Sequence, residues 1–215
     1  MKGKQGGFTL VEIAIVLVII GLLLGGILKG QEMITQAKIK NLVADFSGVS
    51  AAYYGYQDRY RAIPGDDPNA NTRWATAPAA TQGNGNGVVL GKYNSATASD
   101  ESRLWWDHLR RAGFVSGSGT NQPFNAVAGM IGVQTGDSGA TIGPAMGGIA
   151  GLMVCSANLP DKIAIATDTQ MDDGAPDKGT VRGKAHTAPN PDLDNTPESS
   201  YAETGTNIYV LCRSM

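Results

Sequence analysis

Hydrophobic residues are concentrated near the start of the chain. After a polar opening with two lysines, residues 8–28 read FTLVEIAIVLVIIGLLLGGIL and include one charged residue, Glu12. As a helix this run would be about 32 Å long, enough to cross a hydrocarbon core of about 30 Å. A secretory signal has a shorter apolar region, of about 7–15 residues. The pattern therefore predicts a membrane-spanning helix, and the basic opening predicts that its amino end stays in the cytoplasm.

A second pattern begins at residue 39, where apolar side chains recur at alternating spacings of three and four residues. This spacing places them in one stripe along a helix. The stripe consists of Ile39, Leu42, Phe46, Val49, Tyr53, Tyr56 and Tyr60. A coiled-coil seam and a membrane-surface helix are alternatives, but consecutive aromatic residues and a polar face without excess Lys or Arg favour packing on the chain's own globular part. Pro64 predicts the end of the helix just before it.

Residues 63–215 are predicted to form a β-rich globular head. A short helix is expected at 99–112, where Trp105 and Trp106 are adjacent, so that one is expected in the core and the other at the surface. Short strand-like runs follow at residues 126–133, 149–156, 163–166 and 207–212. A small antiparallel sheet laid on the helix stripe would bury both apolar faces. The predicted fold class is therefore α+β, with a long N-terminal α-helix packed on a small antiparallel β-sheet head.

Charge and motifs exclude several functions. The chain has 17 Lys and Arg against 19 Asp and Glu, so it carries no basic field for a nucleic acid, and none is expected as a partner. The glycine tract at 83–87 follows no apolar strand and lacks the Gly-Lys-Ser/Thr ending of a nucleotide-binding loop. With two histidines and no recognisable setting for a nucleophile, we do not expect an enzyme.

Glu12 is the unusual residue of the apolar run. A carboxylate deep in a bilayer costs about 2.5 kcal/mol or more on insertion scales and by default indicates function. The alternative is that Glu12, near the start of the run, reaches the membrane surface. Residues Gly7-Phe8-Thr9-Leu10-Val11-Glu12, after a short basic leader, resemble the processing signature of type IV pilin-like proteins, the pilins and type II secretion pseudopilins.

The resemblance implies a processing step and an assembly contact. A prepilin peptidase would cut between Gly7 and Phe8 and methylate the new Phe8 amine, which would pair with Glu12 of a neighbouring subunit. Opposite charges in a medium of low dielectric relieve each other's burial cost, which favours such a pair. We accordingly expect a leader peptide at 1–7, a transmembrane and assembly helix at 8–28, an amphipathic helix half at 29–62 and the head at 63–215.

The expected function is that of a structural subunit of a pilus-type filament, a type IV pilin or minor pilin. The alternative is a type II secretion pseudopilin acting in protein export. Lys29 stands where many type IV pilins have proline, which argues against a major pilin. The implied partners are pilin-like subunits in a homo- or hetero-polymer, prepilin peptidase, an inner-membrane assembly platform and the membrane. The implied location is the bacterial inner membrane, single-pass, before assembly, and then a cell-surface or periplasmic filament.

Two further sets of residues suggest chemistry in the head. Cys155 and Cys212 are the only cysteines, and export to an oxidising compartment predicts a disulfide, as does the resemblance; two buried free thiols are the alternative. The acidic segments DTQMDDGAPD and PDLDN contain the second set, Asp172, Asp173, Asp192 and Asp194. The resemblance implies calcium there, since major pseudopilins bind it in a carboxy-terminal loop, whereas solvated Asx turns are the alternative. No other cofactor is expected.

Overall fold

The computed structural model describes residues 7, 9–138, 143–196 and 198–215. It forms two compact units, Met1–Ala37 and Lys38–Met215, and the division falls within the first helix. The elements, in chain order, are α1 (Leu10–Tyr60), α2 (Ala70–Arg73), α3 (Glu101–Arg111), β1 (Ile131–Thr135), β2 (Leu152–Pro160), α4 (Asp161–Met171), β3 (Val181–His186) and β4 (Ile208–Ser214).

The four strands form one antiparallel sheet in the order β1-β2-β4-β3. This sheet and the long first helix confirm the predicted α+β fold. The strand predicted at 163–166 is wrong, because those residues lie in α4, where Ile163, Ala164 and Thr167 are buried at helical spacing. β3 was not predicted. Val181 and Gly183 are buried at alternate positions, but a glycine and a lysine in the strand give no clear alternation of apolar and polar residues in the sequence.

The predicted stripe of α1 packs into the core of the head. Six of its seven side chains, all except Tyr60, are buried, and they cluster with Val154 and Leu211 of the sheet. Trp105 and Trp106 are both buried, so the surface position predicted for one of them is wrong. Both indole rings belong to the hydrophobic core. Trp105 stacks on Tyr53 with ring centroids 5.3 Å apart, and the guanidinium carbon of Arg110 lies 5.9 Å from the ring centroid of Trp106.

The disulfide between Cys155 and Cys212 is present, which confirms the predicted pairing and excludes free thiols. The two residues face each other directly across β2 and β4, and both are fully buried. Because the two residues are 57 positions apart in the chain, the disulfide restricts the unfolded chain and so stabilises the folded state by about 4 kcal/mol. The disulfide therefore fixes the C-terminal strand to the middle of the sheet.

Both edges of the sheet are covered by loops of the same chain. An open edge would present unpaired backbone groups to a strand from another molecule. Here outward-facing amides of the two edge strands donate to side-chain or carbonyl oxygens of the head. The bonds are Val181 N to Asp172 Oδ2 (2.9 Å), Gly183 N to Pro176 O (3.1 Å), Ala185 N to Glu198 Oε2 (3.1 Å), Ile131 N to Pro123 O (2.9 Å) and Thr135 N to Val89 O (3.3 Å).

The glycine tract at 83–87 wraps around the buried side chain of Asp66. Asp66 Oδ1 accepts hydrogen bonds from the amides of Gly85 (2.6 Å) and Asn86 (3.1 Å), and Oδ2 accepts one from Gly87 (2.7 Å). A Cβ on Gly83 would lie 2.3 Å from the Asp66 Cα, so only glycine fits there. Amides that would hold a phosphate in a nucleotide-binding loop thus hold the chain's own carboxylate, which agrees with the sequence argument.

Candidate assembly site

The first turn of α1 contains a reciprocal capping contact between Thr9 and Glu12. Glu12 Oε2 accepts hydrogen bonds from the Thr9 amide at 2.7 Å and from the Thr9 hydroxyl at 2.9 Å. In return, the Glu12 amide donates to Thr9 Oγ1 at 3.3 Å. This is the capping-box arrangement of a Thr followed three residues later by a Glu, which satisfies amides that the helix itself leaves unpaired.

Glu12 lies within an uncovered apolar surface. All residues from Leu10 to Leu28 are exposed, and α1 contains a stretch long and apolar enough to cross a membrane. Of the large apolar side chains that are exposed in the described residues, only Tyr54, Phe114 and Phe124 lie outside residues 10–34. The apolar part of α1 therefore needs lipid or other helices around it, and Glu12 is the one ionisable group between residues 9 and 28.

Glu12 can accept a further partner. Its Oε1 atom has no hydrogen bond to any residue that the structure describes, whereas Oε2 is held by Thr9. An incoming ammonium group could bind Oε1 while the cap remains closed, and charge-assisted hydrogen bonds of this kind are roughly twice as strong as neutral ones. The site thus combines a fixed carboxylate with one oxygen that no described residue engages.

The sequence-predicted processing residues lie immediately before this cap. Gly7 is exposed and outside the helix, while Phe8 lies outside the described residues. The pairing of Glu12 with a neighbouring Phe8 amine therefore stays a prediction. Thr9 was not singled out from the sequence, although the spacing Thr-x-x-Glu before an apolar run is a recognised signal for a helix start.

A family model described as the prokaryotic N-terminal methylation motif matches residues 2–28. The chain carries a prepilin-type N-terminal signature. This confirms the resemblance, supports a type IV pilin-like or pseudopilin protein, and implies processing by prepilin peptidase with assembly into a pilin-like filament. The signature and the apolar helix together fit a membrane-anchored, single-pass protein. No curated protein and no solved structure matches the chain.

The described part of the head contains one compact group of carboxylates. Ligand atoms of Asp168, Asp172 and Asp173 all lie within 4.8 Å of one another. Asp168 is fully buried and its Oδ2 accepts a 2.5 Å hydrogen bond from the Tyr201 hydroxyl. Burial, together with the charges of Asp173 and Asp172, raises the pKa of Asp168 to about 6.

The structure does not bring the four candidate calcium ligands together. Asp172 and Asp173 belong to the carboxylate group, whereas Asp192 pairs with Lys92 at 2.5 Å and Asp194 pairs with Lys184. The hydrogen bond from Lys92 is the main cause that lowers the pKa of Asp192, and the one from Lys184 does the same for Asp194. These two aspartates hold the loop between β3 and β4 to the head. Calcium binding stays a prediction, with Asp168 in place of Asp192 and Asp194.

Proposed function

We propose that this chain is a structural subunit of a pilus-type filament. Prepilin peptidase would cut it between Gly7 and Phe8, and it would then assemble through the apolar half of α1. The observation that carries the proposal is the methylation motif on a helix whose apolar surface is left exposed by the residues that the structure describes and contains one carboxylate. A membrane surrounds this surface before assembly, and neighbouring helices replace the lipid afterwards.

Thr9 and Glu12 suit both stages. In the membrane, the two Thr9 hydrogen bonds to Glu12 Oε2 reduce the cost of placing a carboxylate among lipid chains. After cleavage, the Phe8 amine of a neighbouring subunit would bind the free Oε1. That amine lies four residues before Glu12 in the sequence. Pairing it with the Glu12 of a parallel neighbour would offset the two helices by about 6 Å along their axis.

The head supports a filament that is held together by helices. Its sheet edges are covered by its own loops, so strand addition between heads is unfavourable. Its disulfide keeps the C-terminal strand in place outside the reducing cytoplasm. We therefore expect the heads not to exchange strands with each other, so that assembly depends on the helices.

A type II secretion pseudopilin is the second candidate. The observation in its favour is Lys29, which lies inside an unbroken α1 and forms a 2.8 Å ion pair with Glu32, at the position where many type IV pilins have proline. A minor pilin would also fit this feature. The two functions differ in where fibres appear and in whether loss of the protein blocks export of other proteins.

Processing can be measured by mass spectrometry of the membrane-extracted protein. We expect a mature chain that begins at methylated Phe8. Assembled material that still begins at Met1 would refute the proposal. Electron microscopy of sheared cell-surface fibres, beside an assay of secreted proteins in a deletion strain, then separates pilus from pseudopilus.

Substitutions of Glu12 test the assembly contact. Glu12→Ala should insert and be processed normally but form few or no fibres. Glu12→Gln is the matched variant, because glutamine can still close a capping box but carries no charge. If charge pairing with Phe8 drives assembly, Glu12→Gln should fail like Glu12→Ala; wild-type fibre yield from Glu12→Gln would leave the carboxylate with a capping role alone.

A further inference from the structure

The part of α1 that belongs to the Lys38–Met215 unit carries the carboxylate of Asp45, which pairs with no described residue. Asp45 is partly buried, yet it has no hydrogen bond or ion pair with any residue in the described part of the chain. Burial raises the pKa of Asp45, with no cation nearby to oppose that effect. A charge removed from water without a partner is costly, so such a group calls for a cation from elsewhere.

An exposed cation lies five residues earlier on the same helix. Lys40 is exposed and forms no ion pair within the residues that the structure covers. Five residues of α-helix turn through about 140° and rise about 7.5 Å, so Lys40 cannot reach Asp45 of its own chain. By contrast, Lys29 and Glu32 are three residues apart and pair within the chain at 2.8 Å.

We propose that in the assembled filament Lys40 of one subunit forms an ion pair with Asp45 of its neighbour. The proposal rests on the proposed function, because it requires parallel packing of α1 helices. It joins two different faces of the same helix, and between parallel helices a contact of that kind does not close on itself but continues from copy to copy. A twofold dimer could also pair each Lys40 with the partner's Asp45, so it is the parallel packing of the proposed filament that makes the contact continue.

The axial offset agrees with the contact inferred at the start of α1. Pairing the Phe8 amine with Glu12 shifts parallel neighbours by four residues, or about 6 Å. The same shift along the helix brings Lys40 level with residue 44 of the neighbour, about 1.5 Å from the level of Asp45. A lysine side chain, with its flexible four-carbon stem, easily spans that difference.

The surface between the two charges allows a close approach. On the helix, the arc between Lys40 and Asp45 contains the exposed small residues Ala44, Gly48 and Ala51 together with the exposed Asn41. Small side chains let neighbouring helix backbones come close together. The contact thus combines complementary charges with a shallow surface, and its occupant is a second copy of this chain.

Charge reversal tests the pair in the full-length protein. Asp45→Lys and Lys40→Asp should each lower the fibre yield at least about tenfold, since like charges would meet at every contact. The double variant restores opposite charges and should recover most of the wild-type yield. Asp58→Lys is the matched control, because Asp58 is exposed on the same helix with its own partner Arg61 at 3.6 Å. Equal yields from the single and double variants would overturn the proposal.

Cysteine cross-linking provides a second readout. The two native cysteines are bonded to each other. In a double variant with Lys40→Cys and Asp45→Cys, only the two introduced cysteines would therefore have free thiols for cross-linking. Mild oxidation of its fibres should give a ladder of dimers, trimers and longer species, while either single variant should give none. Monomer alone from oxidised double-variant fibres would refute the contact.

The results separate this inference from the proposed function. If the wild-type chain forms no fibres under any condition, the proposed function fails. If wild-type fibres form and Glu12→Ala abolishes them while reversal at Lys40 or Asp45 changes nothing, the filament stands and the Lys40–Asp45 pair is wrong.

Discussion

Asp168→Asn should stabilise the head at neutral pH. Asp168 is fully buried in α4, and its burial beside Asp173 and Asp172 raises its pKa from 3.8 to about 6. Since each pKa unit corresponds to about 1.4 kcal/mol, ionised Asp168 lowers the free energy of unfolding at pH 7.5 by at most about 3 kcal/mol. Asparagine keeps an oxygen that accepts the Tyr201 hydroxyl hydrogen bond but removes the charge.

The sign of the pH dependence follows from the raised pKa. A group whose pKa is higher in the folded state gives its full stability below the unfolded pKa, near 4, and loses it as the pH rises through about 6. Asp168→Asn should therefore be more stable than the wild type at pH 7.5, and the difference should vanish below about pH 4. For a chain of this size, 2–3 kcal/mol corresponds to a rise in Tm of roughly 4–12 °C.

Tryptophan fluorescence during thermal unfolding of the full chain in detergent provides the assay, because all three tryptophans lie in the head. Glu203→Gln makes the same chemical change on an exposed side chain and should leave Tm within about 1 °C. A loss of stability in Asp168→Asn at pH 7.5, or a gain that does not depend on pH, would refute the reasoning. Added calcium should raise Tm of the wild type but not of Asp168→Asn; equal Tm values with and without the ion in the wild type would contradict calcium binding.

Two further substitutions test the cap and the disulfide. Thr9→Val removes the hydroxyl but keeps the branched shape, and should weaken the cap by about 1 kcal/mol and lower the fraction of processed protein found in fibres, while Thr9→Ser should not. Equal fractions for all three would contradict a role for the hydroxyl. Replacing Cys155 and Cys212 together by alanine should lower the free energy of unfolding by about 4 kcal/mol relative to the oxidised wild type, measured by urea denaturation; the reduced wild type is the control and should lose a similar amount.

The parts of the fold that depend on periodicity could be predicted from the sequence. The stripe from Ile39 to Tyr60 has seven apolar positions in helical register, and packing did not override so long a pattern. The run at 163–166 is only four residues long, and a short apolar run is compatible with either a strand or a buried helix. Its helical state follows from burial of Ile163, Ala164 and Thr167 in the folded head.

The candidate sites also differ in how far the sequence could predict them. Glu12 and the two cysteines could be named from the sequence because each is rare in its surroundings. The disulfide is present, whereas the partner of Glu12 in a filament stays a prediction. Of the carboxylate group, Asp172 and Asp173 were among the predicted calcium ligands. Asp168 was not, because its place beside them depends on the last turns of α4 and on Tyr201 from a distant loop. Asp192 and Asp194 look like ligands in sequence, but Lys92, some 100 residues away, and Lys184 neutralise them.

Charge pairs have unusual weight in a filament of this design. When an apolar helix moves from lipid to a bundle of similar helices, it exchanges one apolar environment for another, so the hydrophobic effect gives little preference for any offset between neighbours. Two neighbouring helices could then pack at many axial offsets of nearly equal free energy. The two proposed pairs, Glu12 with the Phe8 amine and Lys40 with Asp45, would each favour nearly the same offset of four to five residues. Because a mismatch would leave the Glu12 carboxylate unpaired among apolar helices, polar residues spaced along α1 would select one register where the apolar surface by itself selects none.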